Sequence, residues 1–159
     1  MSDAKTRESD DTASEGIGAE ALIAAAVHVR DLAYAPYSRF SVGAAVLDRQ
    51  GRMFSGCNIE NASFGLTICA ERVAFGNAIA HGARDFVAVA VVARRADGEP
   101  VAPCGACRQV MAELAPKATV LLETPDGTRR EVTTVEDLLP GKFSADDLPK
   151  AGAGEEAAS

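Results

Sequence analysis

The sequence predicts an α/β protein, a three-layer α/β/α sandwich around a mixed, about five-stranded sheet. Three observations carry this expectation. Two or three of the segments with strand character alternate with segments of helical period. Residues 86–93 (FVAVAVVA) are apolar at every position, the mark of a central strand covered on both faces. Two internal segments have helix-start residues at one end and Gly or Pro beyond the other, and they can supply covering layers.

The elements follow in order. Residues 1–16 are polar, acidic and rich in Ser, Thr and Asp, and read as a disordered leader. Ile17, Ala21, Ala24, Ala25, His28 and Leu32 fall at helical spacing, so an amphipathic helix is expected from Ile17 to Tyr34, ended by Pro36. Residues 42–47 and 52–58 read as two strands. The turn Asp48-Arg49-Gln50-Gly51 joins them into a hairpin. A loop follows over 61–66. Thr67 is expected to cap a helix that runs through Ala80, with Gly82 beyond its end. After the 86–93 strand comes a polar loop, 94–101. Pro103 then opens a helix that runs to about Leu114 and stops before Pro116. Residues 117–123 form another strand, Pro125-Asp126-Gly127 a turn, 128–133 a last strand and 135–139 a short helix. Residues 17–148 thus make one domain, and 149–159 a flexible tail.

Composition narrows the function. Hydrophobic residues make up 47% and the formal net charge is −7. An acidic chain without a basic stripe repels phosphate backbones, so nucleic acid is not the expected partner. The longest apolar stretch, 21–27, falls far short of the ~20 residues a membrane span needs. The N-terminus lacks an export signal, so a cytoplasmic protein is expected, where thiols stay reduced. Four cysteines in such a chain point to metal or catalysis before disulfides.

Three of them form a pattern. Cys69 opens one expected helix. Cys104 and Cys107, in Pro103-Cys104-Gly105-Ala106-Cys107, lie on one side of the first turn of the next. The positive end of a helix lowers a thiol pKa and favours the thiolate that binds metal. Three thiolates on Zn²⁺ leave one tetrahedral position open, the arrangement of a catalytic rather than a structural zinc. Glu71, two residues past Cys69, is within reach of a water at that position and can act as a general base. Two other functions compete. A structural zinc module needs a fourth ligand, from Cys57 or a histidine. A thiol oxidoreductase would use the Cys104/Cys107 pair but leaves Cys69 and Glu71 unexplained. Cys57 reads as a packed thiol. His28 and His81 do not read as ligands, and Glu123, Asp126, Glu131, Glu136 and Asp137 read as a solvated face.

Cys69-Ala70-Glu71 followed by Pro103-Cys104-x-x-Cys107 resembles the known signature of the zinc deaminases. The likeness continues through 34–45 (YAPYSRFSVGAA), 56–62 (GCNIENA), Arg72, Arg108-Gln109 and Leu138-Leu139-Pro140. Over roughly residues 17–148 the chain is similar to the small homotetrameric cytidine deaminases that bind zinc through three cysteines. The resemblance implies one Zn²⁺ per chain on Cys69, Cys104 and Cys107. It implies that Glu71 shuttles protons between the water, ring N3 and the departing amine of cytidine or 2′-deoxycytidine, in pyrimidine salvage. Asn58 and Glu60 would bind ribose hydroxyls, Phe40 would pack on the pyrimidine, and the Ala70 backbone would contact the base. Arg72 would hydrogen-bond the thiolates. Phe143 would reach the active site of a neighbouring subunit. Phe64 stands where the family often has Tyr, which removes one hydroxyl near the subunit interface. The nearest rival within the superfamily acts on an aminopyrimidine nucleoside antibiotic, and the 58–62 segment favours a plain ribose.

Overall fold

The computed structural model describes residues 18–149. The expectations for the 1–16 leader, for Ile17 and for the tail beyond Pro149 lie outside the described residues. Helix α1 (Gly18–Arg30) comes first. The hairpin β1 (Gly43–Asp48) and β2 (Met53–Cys57) leads to helix α2 (Ala70–Ala80). Strand β3 (Phe86–Val92), helix α3 (Gly105–Leu114) and strand β4 (Thr119–Glu123) follow. Strand β5 (Arg130–Thr134) and the short helix α4 (Val135–Leu138) complete the order. The sheet runs β2-β1-β3-β4-β5. Only β3 and β4 pair in parallel; the other neighbours are antiparallel, so the sheet is mixed, with five strands as expected.

Strand alternation builds two cores. Ala44, Val46, Val89, Val91, Val120 and Leu122 face α2 and α3, where they meet Phe75 and Met111. Ala45, Ala90, Val92 and Leu121 face the other way and meet Leu22, Ile23 and Ala26 of α1. This gives the third layer. A fully buried Leu22 or Phe75 contributes about 1.5–3 kcal/mol through area removed from water. Two glycines set how closely the layers approach. A Cβ at Gly43 would stand 1.9 Å from the Ala26 carbonyl oxygen, and one at Gly56 would stand 2.4 Å from the Ala74 amide nitrogen. Only glycine lets α1 and α2 lie directly on the hairpin.

Four expectations need correction. The first helix stops at Arg30, not Tyr34. Tyr34 instead forms a bridge with Ile59, its amide donating to the Asn58 carbonyl at 3.0 Å, and that pairing pulls the chain out of helical geometry. The residue at the N-cap of α2 is Cys69, not Thr67. The Thr67 hydroxyl accepts from the Asn61 amide at 3.2 Å, which commits it to the loop. Pro103 likewise stands one residue outside α3, whose N-cap is Cys104. Glu123 does not lie on a solvated face. It is buried, and it pairs with Arg130, its partner in the β4–β5 register.

Candidate active site

The site begins with two helix starts. Cys69 and Cys104 occupy the N-cap positions of α2 and α3, both in extended backbone, and neither uses its side chain to cap. Their carbonyls accept the first helical hydrogen bonds, from the Val73 and Arg108 amides, so both sulfurs are free to face outward from the helix ends. Cys107 follows in the first turn of α3 and is fully buried. The Sγ atoms of Cys69 and Cys104 are 3.8 Å apart, and all three sulfurs lie within 4.8 Å of one another. Tetrahedral sulfurs at a Zn–S length of about 2.3 Å sit about 3.8 Å apart, so the set fits a zinc ion with little movement. Among the described residues this is the one such cluster, and neither Cys57 nor a histidine joins it.

The electrostatics agree with a cation site. The Cys69 thiol is pulled down to about 6, first by a hydrogen bond from Cys107 against the opposing effect of burial, with help from Cys104 and the Arg72 charge. Cys107 is pushed up because it donates to Cys69, is buried and faces the Glu71 carboxylate. Three thiols packed this closely compete for protons, and a divalent cation replaces those protons. Glu71 is 5% exposed. Burial raises its pKa above the ordinary carboxylate range, and the Cys69 charge adds to this.

A cavity of about 250 Å³ opens beside the sulfurs. Cys69, Ala70, Glu71 and Cys104 form its floor. Val42, Val91, Val101 and Ala102 give it apolar walls, and Phe40, Asn58 and Glu60 stand on the remaining side. Short bridges bring that last group in. Ile59 pairs with Tyr34 on one side and with Ile68 on the other, which draws 58–60 between the 34–40 loop and Cys69. Asn58 is 7% exposed; its Oδ1 accepts from the Val42 amide at 2.9 Å and its Nδ2 donates to the Phe40 carbonyl at 2.9 Å. Glu60 accepts from the Tyr37 and Ser38 amides and from the Ser38 hydroxyl.

The expected residues therefore converge, with two at the periphery. Arg72 donates to the Thr67 carbonyl at 3.4 Å and reaches Cys69 through its charge. Phe143 is exposed and does not line its own chain's cavity. Its carbonyl accepts from the Gln109 amide group at 2.9 Å, which ties it to α3. Ser38, Val91, Val101, Ala102 and Arg108 belong to the neighbourhood and were given no role from sequence. Arg108 donates to the Pro103 carbonyl at 2.7 Å and to the Leu138 carbonyl at 3.0 Å, which anchors the Cys104 turn. Ser38 falls in the 34–45 run, yet its partner Glu60 lies 22 residues away, beyond any local pattern.

Residues 18–123 match the family model for the cytidine and deoxycytidylate deaminase zinc-binding region. The chain belongs to this family. It carries that zinc-binding region, and Cys69, Cys104 and Cys107 can hold the ion. A cytidine deaminase from Halalkalibacterium halodurans is 56% identical over 128 residues, 80% of this chain and 95% of that protein. A crystal structure of cytidine deaminase from Burkholderia pseudomallei shares 51% identity with a TM-score of 0.74, covering 78% of this chain and 98% of that one. Blasticidin-S deaminase from Bacillus cereus is 33% identical over 113 residues, 67% of this chain and 79% of that protein.

Proposed function

We propose that this chain hydrolyses the exocyclic amine of cytidine and 2′-deoxycytidine, giving uridine and 2′-deoxyuridine plus ammonia. The observation that carries the proposal is a buried carboxylate, Glu71, lining the same cavity as Cys69 and Cys104, whose sulfurs converge with that of Cys107. When bound by Cys69, Cys104 and Cys107, zinc supplies a water made acidic at its open position. The remaining work falls to the chain's own groups. Glu71 takes one proton from that water and gives it to ring N3 as the hydroxyl adds to C4. It then takes the remaining proton of that hydroxyl and passes it to the amine, which leaves as ammonia when the C4–N bond breaks and the C4 carbonyl forms. Burial holds its pKa above the ordinary carboxylate value, which makes it a stronger base than an exposed glutamate. The Ala70 backbone contacts the base and Phe40 packs against the pyrimidine ring. Asn58 and Glu60 bind sugar hydroxyls with the capacity their internal bonds leave: one N–H and one lone pair on Asn58, and about one acceptor site on Glu60. Arg72 offsets the net negative charge of three thiolates and one dication. The apolar walls keep bulk water away from the reacting ring.

The protein works as a homotetramer in the cytoplasm, in pyrimidine salvage, with Phe143 entering the site of a neighbouring subunit. An exposed phenylalanine whose backbone is fastened to α3 supports that role. Among the described residues no helix is long and apolar enough to cross a membrane. Sedimentation of a fully active monomer would remove both the tetramer and the role of Phe143.

A second substrate is favoured by one finding, the 33% identity to blasticidin-S deaminase, against 56% to a cytidine deaminase. A non-catalytic zinc module has no fourth protein ligand among the described residues. The test is an ultraviolet assay of zinc-loaded protein with cytidine, 2′-deoxycytidine and the antibiotic in parallel. Turnover of the two cytidines with little of the antibiotic is the expected result. Turnover of the antibiotic alone would move the substrate, and turnover of none would overturn the assignment.

A further inference from the structure

One hydroxyl joins two parts of the sugar side of the cavity. Ser38 Oγ donates to Glu60 Oε1 and at the same time accepts from the Phe40 amide at 3.0 Å. The second carboxylate oxygen, Glu60 Oε2, accepts from the Tyr37 amide at 2.8 Å and the Ser38 amide at 3.2 Å. Residues 37–40 thus wrap the Glu60 carboxylate from one side. The wrap has a conformational cost. Arg39, between Ser38 and Phe40, has φ +58°, the one non-glycine residue with positive φ among the described residues. A residue with a Cβ occupies the left-handed region only where surrounding contacts hold it there. Here the contacts are the Arg39 amide donating to the Ala35 carbonyl at 3.1 Å, the Asn58 side chain donating to the Phe40 carbonyl and the Phe40 amide donating to Ser38 Oγ, and the left-handed step at Arg39 brings that last amide back onto the serine oxygen.

Resting on the substrate reading above, we propose that Ser38 is a positioning residue that joins the Glu60 carboxylate to the Phe40 backbone and so fixes both sugar-side and base-side contacts before substrate enters. A hydroxyl suits the task because one atom donates and accepts together. Alanine can do neither, and threonine can do both. The clasp also orders the remaining capacity of Glu60. Three of about four acceptor positions on the carboxylate are taken by residues 37–38, which leaves about one for a hydroxyl in the cavity that Ser38, Phe40 and Glu60 all line. The hydrogen bonds, led by that from Ser38, also lower the Glu60 pKa against the effect of burial, which keeps the group an acceptor.

The role predicts a loss in binding rather than in chemistry, since the Ser38 hydroxyl bonds to Glu60 and the Phe40 amide and not to Glu71. In the zinc-loaded full chain, Ser38→Ala should raise KM for cytidine about tenfold or more, the ratio set by losing about one charge-assisted hydrogen bond, with kcat within about threefold. Ser38→Thr should recover most of that loss. On a Glu60→Ala background, Ser38→Ala should add less than about twofold, because the two residues act as one unit. A substrate-free readout stands beside these. Amide hydrogen exchange at Tyr37 and Phe40 should accelerate about tenfold in Ser38→Ala, at unchanged zinc content and a cooperative melt. Unchanged KM with unchanged exchange at both amides would overturn the proposal, as would a full additive loss on the Glu60→Ala background. If wild type fails to turn over cytidine, the substrate reading falls, and amide exchange alone still decides whether Ser38 holds the clasp.

Discussion

The two faces of the sheet carry cavities of the same size and opposite character. Each is about 250 Å³. On the α1 face the lining includes Leu22, Leu47, Val87, Ala88, Leu121 and Val132, with the polar Thr119 and one charge, Arg130. That guanidinium is already engaged by Glu20 at 2.6 Å and 3.1 Å and by the buried Glu123. On the α2/α3 face the lining holds two cysteines, a buried glutamate, an asparagine and a second glutamate. Volume is therefore no guide to chemistry here. What separates the faces is the residues at their helix starts. Helices α2 and α3 both start at the cavity and present Cys69 and Cys104 from their N-caps, where the partial positive charge favours thiolate and metal. Helix α1 starts beside the other cavity with Gly18 and Ala19, which offer no side-chain chemistry.

If the faces divide labour in this way, substitutions on them should separate cleanly. The largest effect is expected from Cys104→Ala. It should lose both tightly bound zinc and activity, by metal analysis and ultraviolet assay, while tight metal retention would break the ligand set. Next comes Glu71→Gln. It should keep one zinc per chain and lose about 10²–10⁴-fold in kcat, the usual contribution of a general acid–base group. Near-normal turnover would remove Glu71 from the chemistry. Leu22→Ala on the opposite face should behave in reverse. It should cost about 2–5 kcal/mol of stability in urea titration through the cavity it leaves, with kcat per folded molecule unchanged. A drop in kcat comparable to the Glu71 variant would show that the faces are not independent.

The smallest effect sharpens the comparison at the hairpin, away from both cavities. Asp48 is buried, which alone would raise its pKa. Hydrogen bonds from the Arg52 backbone and side chain and from the Gln50 amide bring it below its ordinary value. A group with a depressed folded pKa stabilises above the unfolded pKa, and that contribution is lost as pH falls through the folded value. The stability gap between wild type and Asp48→Asn should therefore be full at neutral pH and narrow below about pH 4. A gap independent of pH would remove the charge from the account of this turn.

The same contrast explains what could be read in advance. The five strands, the three main helices and the α/β/α layering follow from periods of two and 3.6 and from Gly and Pro punctuation, all local signals. The three cysteines that can hold zinc are legible because each stands beside a helix start, and Glu71 because it lies two residues from one of them. Features that depend on distant pairing are not. The end of α1 is set by Tyr34 bonding to 58–60, and the burial of Glu123 by Arg130 on the next strand. The role of Ser38 depends on Glu60, in a separate loop. Gly43 and Gly56 look like ordinary strand glycines until a helix backbone is found against them.

The central claim is that the α2/α3 face is a zinc-dependent hydrolytic site. It is tested most directly by following conversion of cytidine to uridine before chelation, after removal of the metal, and after zinc is returned. The account predicts loss of turnover with the metal and recovery on addition of about one zinc per chain. Undiminished turnover by protein shown to be free of zinc would contradict it.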